Sequence, residues 1–455
     1  MPVGNDKSKV TVAAAAVPVL GEYDVVVCGG GPAGIGAAVA AGRAGARTLL
    51  IEATSCLGGL IGNAGLRGFC DSPGGPIFDE LVERLLELGA AQWRIDTERF
   101  RPPGRLWYHP ETARALTLEM VTEADAEVLL ATFAEGAWVT DDRVAGVFIA
   151  TKRARQLVRA KAVIDCTADA DIAADAGAPF RYGDPQDGHI QVCCFRWVIG
   201  EVDAERFARE RPGDEELAAL FAQAVREGAI RVPDGLFDHD PATFPFDAET
   251  GALYLEGWEF EELDATDPVQ NARALAQSQL AALQIVRWCR AHLPGYEQCR
   301  VERFPTSLGI RESRRIIGHY TLTQEDVLAG RKFDDGVVPA WFWLDLHDPP
   351  PHQEPHTLEY VKASQPPAGD WYEIPYRSLL PRGIKGLLVA GRSISADRKA
   401  HGSLRIMPTC MFIGTAAGTA AAIAAAEGTD VSELAGARLK RTLLADTEWE
   451  IQPQT

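Results

Sequence analysis

The chain lacks the features of a nucleic-acid-binding or secreted protein. It carries 64 acidic and 45 basic side chains, a net charge of -19, which disfavours a polyanionic partner such as nucleic acid. A short basic run at 152–155 is interpreted as a solvated hairpin. The nine cysteines are odd in number and show no metal-ligand spacing, so we expect a reducing, cytoplasmic compartment.

Long hydrophobic runs are missing as well. The most apolar stretches, 10–20 and 415–426, are too short to span a membrane, and the first contains Pro18. Residues 10–20 have a faint likeness to a secretion signal, but a core strand follows at once and leaves no room for cleavage. We therefore expect an N-terminal tail at 1–20 and no membrane span.

A glycine turn near the N-terminus is the most informative motif that is present. An apolar strand leads into it, and the strand after the next helix ends on Glu52. The turn residues, spaced as G-x-G-x-x-G, include Gly29, Gly31, Pro32, Ala33 and Gly34. The three glycines of such a turn permit a tight bend, close approach of a pyrophosphate and close packing of the helix, while the acid takes ribose hydroxyls. This context predicts dinucleotide binding.

The length of the chain predicts two or three domains. Hydrophobic periodicity predicts helices at 78–88, 111–126, 172–176 and 414–427, and strands at 128–132, 143–150, 156–160, 162–165 and 386–389. The strands 143–150 and 156–160 are expected to pair in a β-meander. Residues 180–375 are rich in Trp, Pro and acidic residues and lack βαβ regularity, which predicts a second domain inserted into the first.

Several later motifs follow in the order of a known family. They are Gly58-Gly59, Thr167-Ala168-Asp169, the run 309–315, the run 374–377, Gly391-Arg392, the run 405–410, and the glycines Gly414 and Gly418. Over about residues 20–430 the chain resembles the FAD-dependent oxidoreductase family with the glutathione-reductase-type flavin fold. It is more distantly similar to the fumarate reductase flavoproteins.

The resemblance implies an α/β fold with FAD as the cofactor. A Rossmann-like FAD-binding domain, a parallel sheet with a β-meander, would comprise 21–179 and 376–435, an α+β substrate domain 180–375, and a C-terminal tail 436–455. The cofactor-binding residues that it implies are Gly29, Gly31, Pro32, Ala33, Gly34, Glu52, Gly58, Gly59, Thr167, Ala168, Asp169, Gly391, Arg392 and Gly414. Ala168 departs from the glycine common in that turn and is expected to tighten it against the cofactor.

The motifs also indicate where hydride comes from. A helix beginning near 407–413 would direct its N-terminal dipole at the N1/O2 edge of reduced flavin. No second G-x-G-x-x-G with a preceding strand follows in the sequence, so we expect hydride from an organic substrate rather than from NAD(P)H.

Disulfide reductases of this superfamily need a Cys-x4-Cys pair, but Cys56 stands alone. We interpret Cys56 as a packed residue, with covalent flavin attachment as the alternative.

Charged and aromatic residues in the motif loops are the candidates for catalysis. His401 and Arg405 precede the flavin helix, and His401 is our first choice for general base because imidazole titrates near neutral pH. Arg311 is a candidate for binding a substrate carboxylate, while Glu312 is expected to pair with a neighbouring arginine. Tyr376 could orient the substrate. His347, with Asp345, would form a base with its orienting acid, a metal half-site or, as we favour over a metal, a structural hydrogen bond.

These residues lead us to expect an FAD-dependent dehydrogenase or oxidase. A small organic substrate would give hydride to flavin N5, and electrons would pass to oxygen or to a separate carrier. One alternative is a flavin monooxygenase, although Gly391-Arg392 stands where such enzymes usually have Gly-Asp. The other is an electron-transfer subunit without its own substrate, which the large insert disfavours. A homo-oligomer is left open.

Overall fold

The computed structural model describes residues 16–94, 105–231, 236–237, 246–247, 252–260, 263–349, 351–354 and 356–445. The strands are β1 Val19–Cys28, β2 Thr48–Ile51, β3 Gly68–Phe69, β4 Ala91–Arg94, β5 Arg105–Tyr108, β6 Glu127–Leu129, β7 Phe133–Thr140, β8 Arg143–Ala150, β9 Arg155–Asp165, β10 Phe180–Tyr182, β11 Cys193–Gly200, β12 Leu236–Phe237, β13 Phe246–Asp247, β14 Ala252–Phe260, β15 Arg300–Arg303, β16 Arg314–Ile316, β17 Gly336–Ala340, β18 Tyr372–Pro375 and β19 Leu387–Val389. The helices are α1 Pro32–Arg43, α2 Gly75–Glu87, α3 Pro110–Glu123, α4 Asp171–Asp175, α5 Ala204–Glu210, α6 Asp214–Arg226, α7 Pro268–His292, α8 Gln324–Leu328, α9 Leu358–Ala363, α10 Arg398–Leu404, α11 Met407–Glu427 and α12 Gly436–Ala445.

A seven-stranded sheet carries the glycine turn. Its order is β6-β2-β1-β9-β8-β7, and β19 also pairs with β9. Strands β6, β2, β1, β9 and β19 are parallel, whereas β7, β8 and β9 form an antiparallel meander. The predicted α/β fold, a parallel sheet with a β-meander, is confirmed. The helices predicted at 78–88, 111–126 and 172–176 are α2, α3 and α4, with shifted ends.

Strand β9 corrects one sequence-based prediction. The residues 156–160 and 162–165 were expected to form two strands, but they belong to one. Its first half pairs with β8 and its last residues pair with β19, while β1 runs along the other side. Residues 155–161 mix exposed, half-buried and buried positions, whereas 162–165 are continuously buried. The pattern changes because both faces of the sheet are covered by other parts of the protein in the parallel region. The change made a single strand look like two in the sequence.

Helix α1 packs directly on α11. A Cβ added to Gly414 would lie 1.9 Å from the carbonyl oxygen of Ala33, and one added to Gly418 would lie 2.2 Å from that of Ala37. Side chains at these positions would force the two helices apart. Gly414 was predicted to bind the cofactor, but the structure uses it to bring α11 against α1.

Helix α11 begins at Met407, which agrees with the helix start predicted near 407–413 and extends the periodic segment 414–427 by seven residues. Among the described residues it is the one helix long and apolar enough to cross a membrane, and 83% of its most apolar window is buried inside the protein. Its alanines and glycines form part of the core between α1, α2 and the sheet. The burial accounts for its apolar composition as that of a core helix.

The predicted insert, 180–375, contains a second hydrophobic core. An antiparallel sheet of order β12-β14-β11-β15 and the helices α5, α6 and α7 build it around side chains such as Phe195, Trp197 and Tyr296. Strands β17 and β18 pack into the first core with α11 instead. The insert therefore contributes to both cores, and its exact limits remain a prediction.

The structure describes part of each predicted tail, 1–20 and 436–455. In both of these parts it shows regular secondary structure that the prediction did not include. Strand β1 begins at Val19 and pairs from there with β9. Residues 436–445 form α12, in which Leu439 is fully buried and Lys440 Nζ lies 2.9 Å from a carboxylate oxygen of Glu373. An amphipathic helix that returns to the core therefore replaces the first half of the predicted C-terminal tail. Residues 1–15 and 446–455 lie outside the described residues.

Candidate active site

The glycine turn joins the carboxyl end of β1 to α1. Gly29 has a φ of +104°, and a Cβ there would lie 2.3 Å from the carbonyl oxygen of Cys166. A Cβ on Gly34 would lie 1.7 Å from the carbonyl oxygen of Gly29. Beside Gly31, by contrast, the nearest described atom to such a Cβ is the Gly59 Cα, at 3.9 Å. Gly29 and Gly34 are required by the backbone, while Gly31 faces open space that suits a close pyrophosphate.

The first turn of α1 supplies donors to that space. Pro32 and Ala33 open the helix, and its N-cap residue, Gly31, has no side chain with which to cap the first N–H groups. These groups carry the positive end of the helix dipole. They therefore fit the phosphates of FAD.

Glu52 lies at the end of β2 beside the turn. Its Oε2 accepts a hydrogen bond from the Gly30 N–H at 2.7 Å, and its Oε1 accepts one from the Thr54 N–H at 2.7 Å. These two bonds fix the orientation of a carboxylate that is only 8% exposed. Each oxygen keeps a second lone pair, which can accept a hydrogen bond from a ribose hydroxyl of FAD.

The other predicted glycines of the cofactor site close around the same turn. The Gly58 N–H donates to a turn carbonyl at 2.8 Å, and a Cβ on Gly59 would lie 2.8 Å from the Gly31 Cα. From the C-terminal part of the chain, a Cβ on Gly391 would lie 3.1 Å from the Cβ of Ala33. The fold thus brings three distant sequence segments together at one point.

The turn after β9 is held by its own side chains. Thr167 donates its hydroxyl to Asp165 Oδ1 at 2.7 Å, and its backbone N–H donates to the same oxygen at 3.0 Å. Ala168 has a φ of +71°, in the left-handed region that costs a non-glycine residue about 1 kcal/mol. The turn therefore keeps a glycine-like conformation even though alanine occupies it.

Asp169 and Arg392 were both predicted to bind the cofactor, and in the structure they bind each other. Asp169 Oδ1 accepts a hydrogen bond from Arg392 Nη2 at 2.7 Å and another from the Ser313 hydroxyl. Arg392 Nη1 also lies 3.0 Å from the Ser313 hydroxyl oxygen. This group ties the ends of β9 and β19 to the loop before β16, so part of the predicted cofactor set has a structural role.

The N-terminus of α11 lies within reach of the nucleotide turn. Gly414, which contacts α1, is about two helical turns, or roughly 10 Å, along α11 from its first residue. The N-cap residue Ile406 has an apolar side chain that cannot accept a hydrogen bond. A dinucleotide held at the glycine turn can therefore extend to the N–H groups at this helix end, which the Ile406 side chain does not cap, and this fits the flavin half of FAD.

Catalytic candidates gather next to that helix end. Arg405, between α10 and α11, donates from Nη2 to the backbone carbonyl of Asp345 at 2.8 Å and to its Oδ2 at 3.0 Å. Arg311 donates to the Val192 carbonyl at 2.6 Å, and its charge acts on His347. His401 lies one turn before Arg405 on α10. The structure thus brings together His401, Arg405, Arg311 and His347.

Asp345 and His347 form a pair in which Oδ1 and Nε2 lie 3.2 Å apart. Burial opposes ionisation of Asp345, but His347 and Arg405 hold the pKa of its carboxyl below the ordinary value. Burial and the charge of Arg311 lower the pKa of His347. At neutral pH the carboxylate is therefore ionised, and its Oδ1 lies beside Nε2 of a neutral imidazole. The lone pair of His347 Nδ1 can then accept a proton.

His356 completes a group that could in principle hold a metal. One ligand atom each from Asp345, His347 and His356 lie within 4.8 Å of one another, and His356 Nε2 lies 2.7 Å from the Leu346 carbonyl oxygen. Arg405 already balances the charge of Asp345. The positive potential of the arginines opposes a cation, so these surroundings disfavour the metal half-site.

The surroundings of His401 do not support its predicted role as general base. The side chain is 1% exposed, and its Nδ1 faces the side-chain nitrogen of Gln191 at 3.5 Å. Among the described residues, its Nε2 has no hydrogen-bond partner. Burial lowers its pKa far below the ordinary value, and four arginines act in the same direction, namely Arg315, Arg405, Arg392 and Arg398. A neutral imidazole that resists protonation is a weak base.

As predicted, Glu312 pairs with arginines. Its carboxylate is fully buried, contacts Arg315, and lies 3.0 Å from Arg398 Nη2. Arg398 also binds Asp348, with Nη1 2.9 Å from Oδ2. The second Glu312 oxygen accepts the Gln191 N–H at 3.1 Å. This network fixes α10 and the loops before β11 and after β17, which carry the catalytic candidates.

Tyr376 lies in the first hydrophobic core. Its side chain is 1% exposed, and its hydroxyl donates to the Val431 carbonyl at 2.7 Å. This position in the first core does not support the predicted role in orienting substrate. Cys56 is partly buried, donates to Asn63 Oδ1 at 3.2 Å and contacts the Arg114 guanidinium.

Gln191, Asp348 and Arg398 are site residues that the sequence analysis missed. No motif marks them. Gln191 does stand in an apolar run at 190–199, and a fully buried amide in such a run is a sign of a polar partner. Asp348 lies in the same segment as the recognised Asp345 and His347, but its partner Arg398 is distant in sequence.

Comparisons with known proteins agree with this geometry. A family model described as FAD dependent oxidoreductase matches residues 24–443. A thiamine thiazole synthase of Aeropyrum pernix is 36% identical over 127 residues, which cover 28% of this chain and 43% of that protein. The chain thus spans less than half the length of this curated relative.

Two solved structures are similar over most of the chain. The p-nitrophenol 4-monooxygenase PnpA from Pseudomonas putida is 13% identical, with a TM-score of 0.44 and coverage of 96% of this chain and 90% of that one. A geranylgeranyl bacteriochlorophyll reductase-like protein from Thermoplasma acidophilum is 13% identical, with a TM-score of 0.41 and coverage of 93% and 82%. Sequence identities and TM-scores this low leave the activity of this chain undecided. The family match and the cradle around the glycine turn agree, and the chain is a flavoenzyme of the FAD-dependent oxidoreductase family.

Proposed function

We propose that the protein is an FAD-dependent dehydrogenase or oxidase that oxidises a small, negatively charged organic substrate. Electrons would then pass to oxygen or to a separate carrier. The observation that carries this proposal is the Asp345–His347 pair, in which an ionised carboxylate orients a neutral imidazole beside two arginines.

His347 is the proton acceptor in this proposal. We assign the Nε2 proton to the side of the ring that faces Asp345. Nδ1 then takes a proton from an O–H, N–H or C–H group of the substrate as the adjacent C–H bond gives up a hydride. FAD, when bound, supplies the hydride acceptor. Asp345 keeps the imidazole oriented and stabilises the imidazolium that forms.

Positive charge around the pair supports an anionic substrate. Arg405 and Arg311 both act on His347, and the N-terminus of α11 adds its dipole at the same end of the site. A guanidinium group suits the planar geometry of a carboxylate. We therefore assign binding of a substrate carboxylate to Arg311, and orientation of Asp345 to Arg405.

Residues of the insert favour an enzyme with its own substrate. Gln191 and Arg311 flank strands of the second core and reach the same cluster as His401 from the first. A flavoprotein that only carries electrons has no need of such a mixed site.

Anaerobic mixing of the holoenzyme with small 2-hydroxy, 2-amino and saturated carboxylic acids tests the proposal. Bleaching of the flavin absorbance by one of these acids without NAD(P)H supports it. Bleaching by NAD(P)H alone, followed by oxygen incorporation into product, would show a monooxygenase. Reduction only by a protein partner would show an electron-transfer subunit.

The His347→Gln variant tests the proton acceptor. We expect it to keep FAD and to lower the rate of flavin reduction by the true substrate about 10²- to 10⁴-fold. The matched control is His189→Gln, which changes a histidine that is also paired with an aspartate, Asp187. Equal rates in the wild type and His347→Gln would remove His347 from the chemistry.

A further inference from the structure

The side chain of Gln191 bridges two histidines of the site. Its Oε1 lies 3.2 Å from the backbone nitrogen of His347, and its Nε2 lies 3.5 Å from His401 Nδ1. A backbone N–H can only donate, so the amide oxygen must face His347. The main chain therefore fixes the amide with its NH2 group toward His401.

The direction of this contact decides the tautomer of His401. An amide NH2 can only donate, so His401 Nδ1 must be the nitrogen that carries the lone pair. In a neutral imidazole the proton then sits on Nε2. That nitrogen is buried, and it lacks a hydrogen-bond partner among the described residues.

The charges that face His401 keep the ring neutral. Arginines approach it from several elements: Arg398 and Arg405 from α10 and its end, Arg392 from the loop after β19, and Arg315 from β16. Glu312, a carboxylate of the same network, is already bound by Arg315 and Arg398. Burial and the net positive surroundings both lower the pKa of His401.

We propose that Gln191 is a positioning residue that holds His401 in its Nε2–H tautomer, so that His401 donates a hydrogen bond in the active site instead of accepting a proton. Arg405 follows one turn later, and its Nε also lacks a partner among the described residues. These two donors suit one acceptor oxygen. The identity of that oxygen as part of the substrate rests on the proposed function, whereas the tautomer does not.

Nitrogen-15 NMR of the holoenzyme, labelled on histidine, measures the tautomer directly. The His401 signals are assigned by their absence from His401→Gln. We expect an unprotonated Nδ1 and a protonated Nε2 that do not change between about pH 6 and pH 8. A protonated Nδ1, or an imidazolium in this range, overturns the proposal. The measurement needs no substrate, so it stands even when the proposed oxidation fails.

Two variants test the action of Gln191 on His401. Gln191→Glu places an acceptor opposite Nδ1, and we expect the proton to move to Nδ1 and flavin reduction to slow about 10- to 100-fold. Gln191→Met keeps the length of the side chain but removes the donor, and it should give a mixture of tautomers. An unchanged His401 spectrum in a folded, FAD-loaded Gln191→Glu protein contradicts the proposal. Where a variant fails to load FAD, the wild-type spectrum decides.

Discussion

Arg405 Nη2 donates hydrogen bonds to both the carboxylate and the main chain of Asp345. It lies 3.0 Å from Oδ2 and 2.8 Å from the backbone carbonyl oxygen. One guanidinium group thus places the Asp345–His347 pair beside the start of α11. The contact joins a residue just before α11 to the segment after β17, which are distant in sequence.

Replacing Asp345 by asparagine should impair the base. The Asp345 charge raises the pKa of His347 against burial, so its removal lowers that pKa further and makes the imidazole a weaker base. We expect flavin reduction to slow about 100-fold and the acid limb of its pH profile to move to lower pH. Stopped-flow reduction across pH measures both. Asp187→Asn, in a second Asp–His pair, is the control, and an acid limb that moves upward in Asp345→Asn contradicts the assignment.

Alanine at Gly31 should block the cofactor without harming the fold. A Cβ there fits the described protein, with its nearest neighbour at 3.9 Å, but it fills the space assigned to pyrophosphate. We expect a purified protein with little bound flavin and the thermal stability of the flavin-free wild type.

Gly34→Ala is the matched comparison for Gly31→Ala. Its Cβ would lie 1.7 Å from a carbonyl oxygen, so this variant should lose stability, by about 1–3 kcal/mol or more. Denaturant unfolding and flavin absorbance separate the two effects. Normal flavin content in Gly31→Ala would place the pyrophosphate elsewhere.

Tyr376→Phe tests the correction made for that residue. The variant removes the hydroxyl that donates to the Val431 carbonyl and leaves the ring in place. We expect a loss of about 0.5–1.5 kcal/mol in unfolding free energy and an unchanged rate of flavin reduction. A slower reduction at unchanged flavin content would return Tyr376 to the active site.

Ala168→Gly should stabilise the protein. Ala168 adopts a φ of +71°, which glycine reaches without the steric penalty of a Cβ, and the expected gain is about 1 kcal/mol. Ala174→Gly, within α4, is the control of opposite sign and should cost about 1 kcal/mol. Thermal unfolding of the two variants measures both changes, and a lower melting temperature in Ala168→Gly would show that its methyl group packs favourably.

The order of strand, glycine turn, helix and acid at 25–52 predicted a bound dinucleotide from the sequence alone, and the later motifs implied the fold class and FAD. Such local motifs are readable because tight turns and helix starts restrict neighbouring residues in the chain. The same restriction to neighbouring residues explains why Gly414 was assigned to the cofactor. In the sequence, a glycine of an apolar helix has the same pattern around it whether it faces a ligand or another helix.

The chemistry was decided by contacts between distant segments. Sequence reasoning chose the loops that hold His401, Arg405, Arg311 and His347, but it could not assign their roles. The protonation of an imidazole depends on which donors and charges surround it, and these come from elements as far apart as Gln191 and Arg398. The tertiary structure therefore leads us to propose His347 rather than His401 as the base, because burial and neighbouring charge, rather than residue type, set the basicity of each ring.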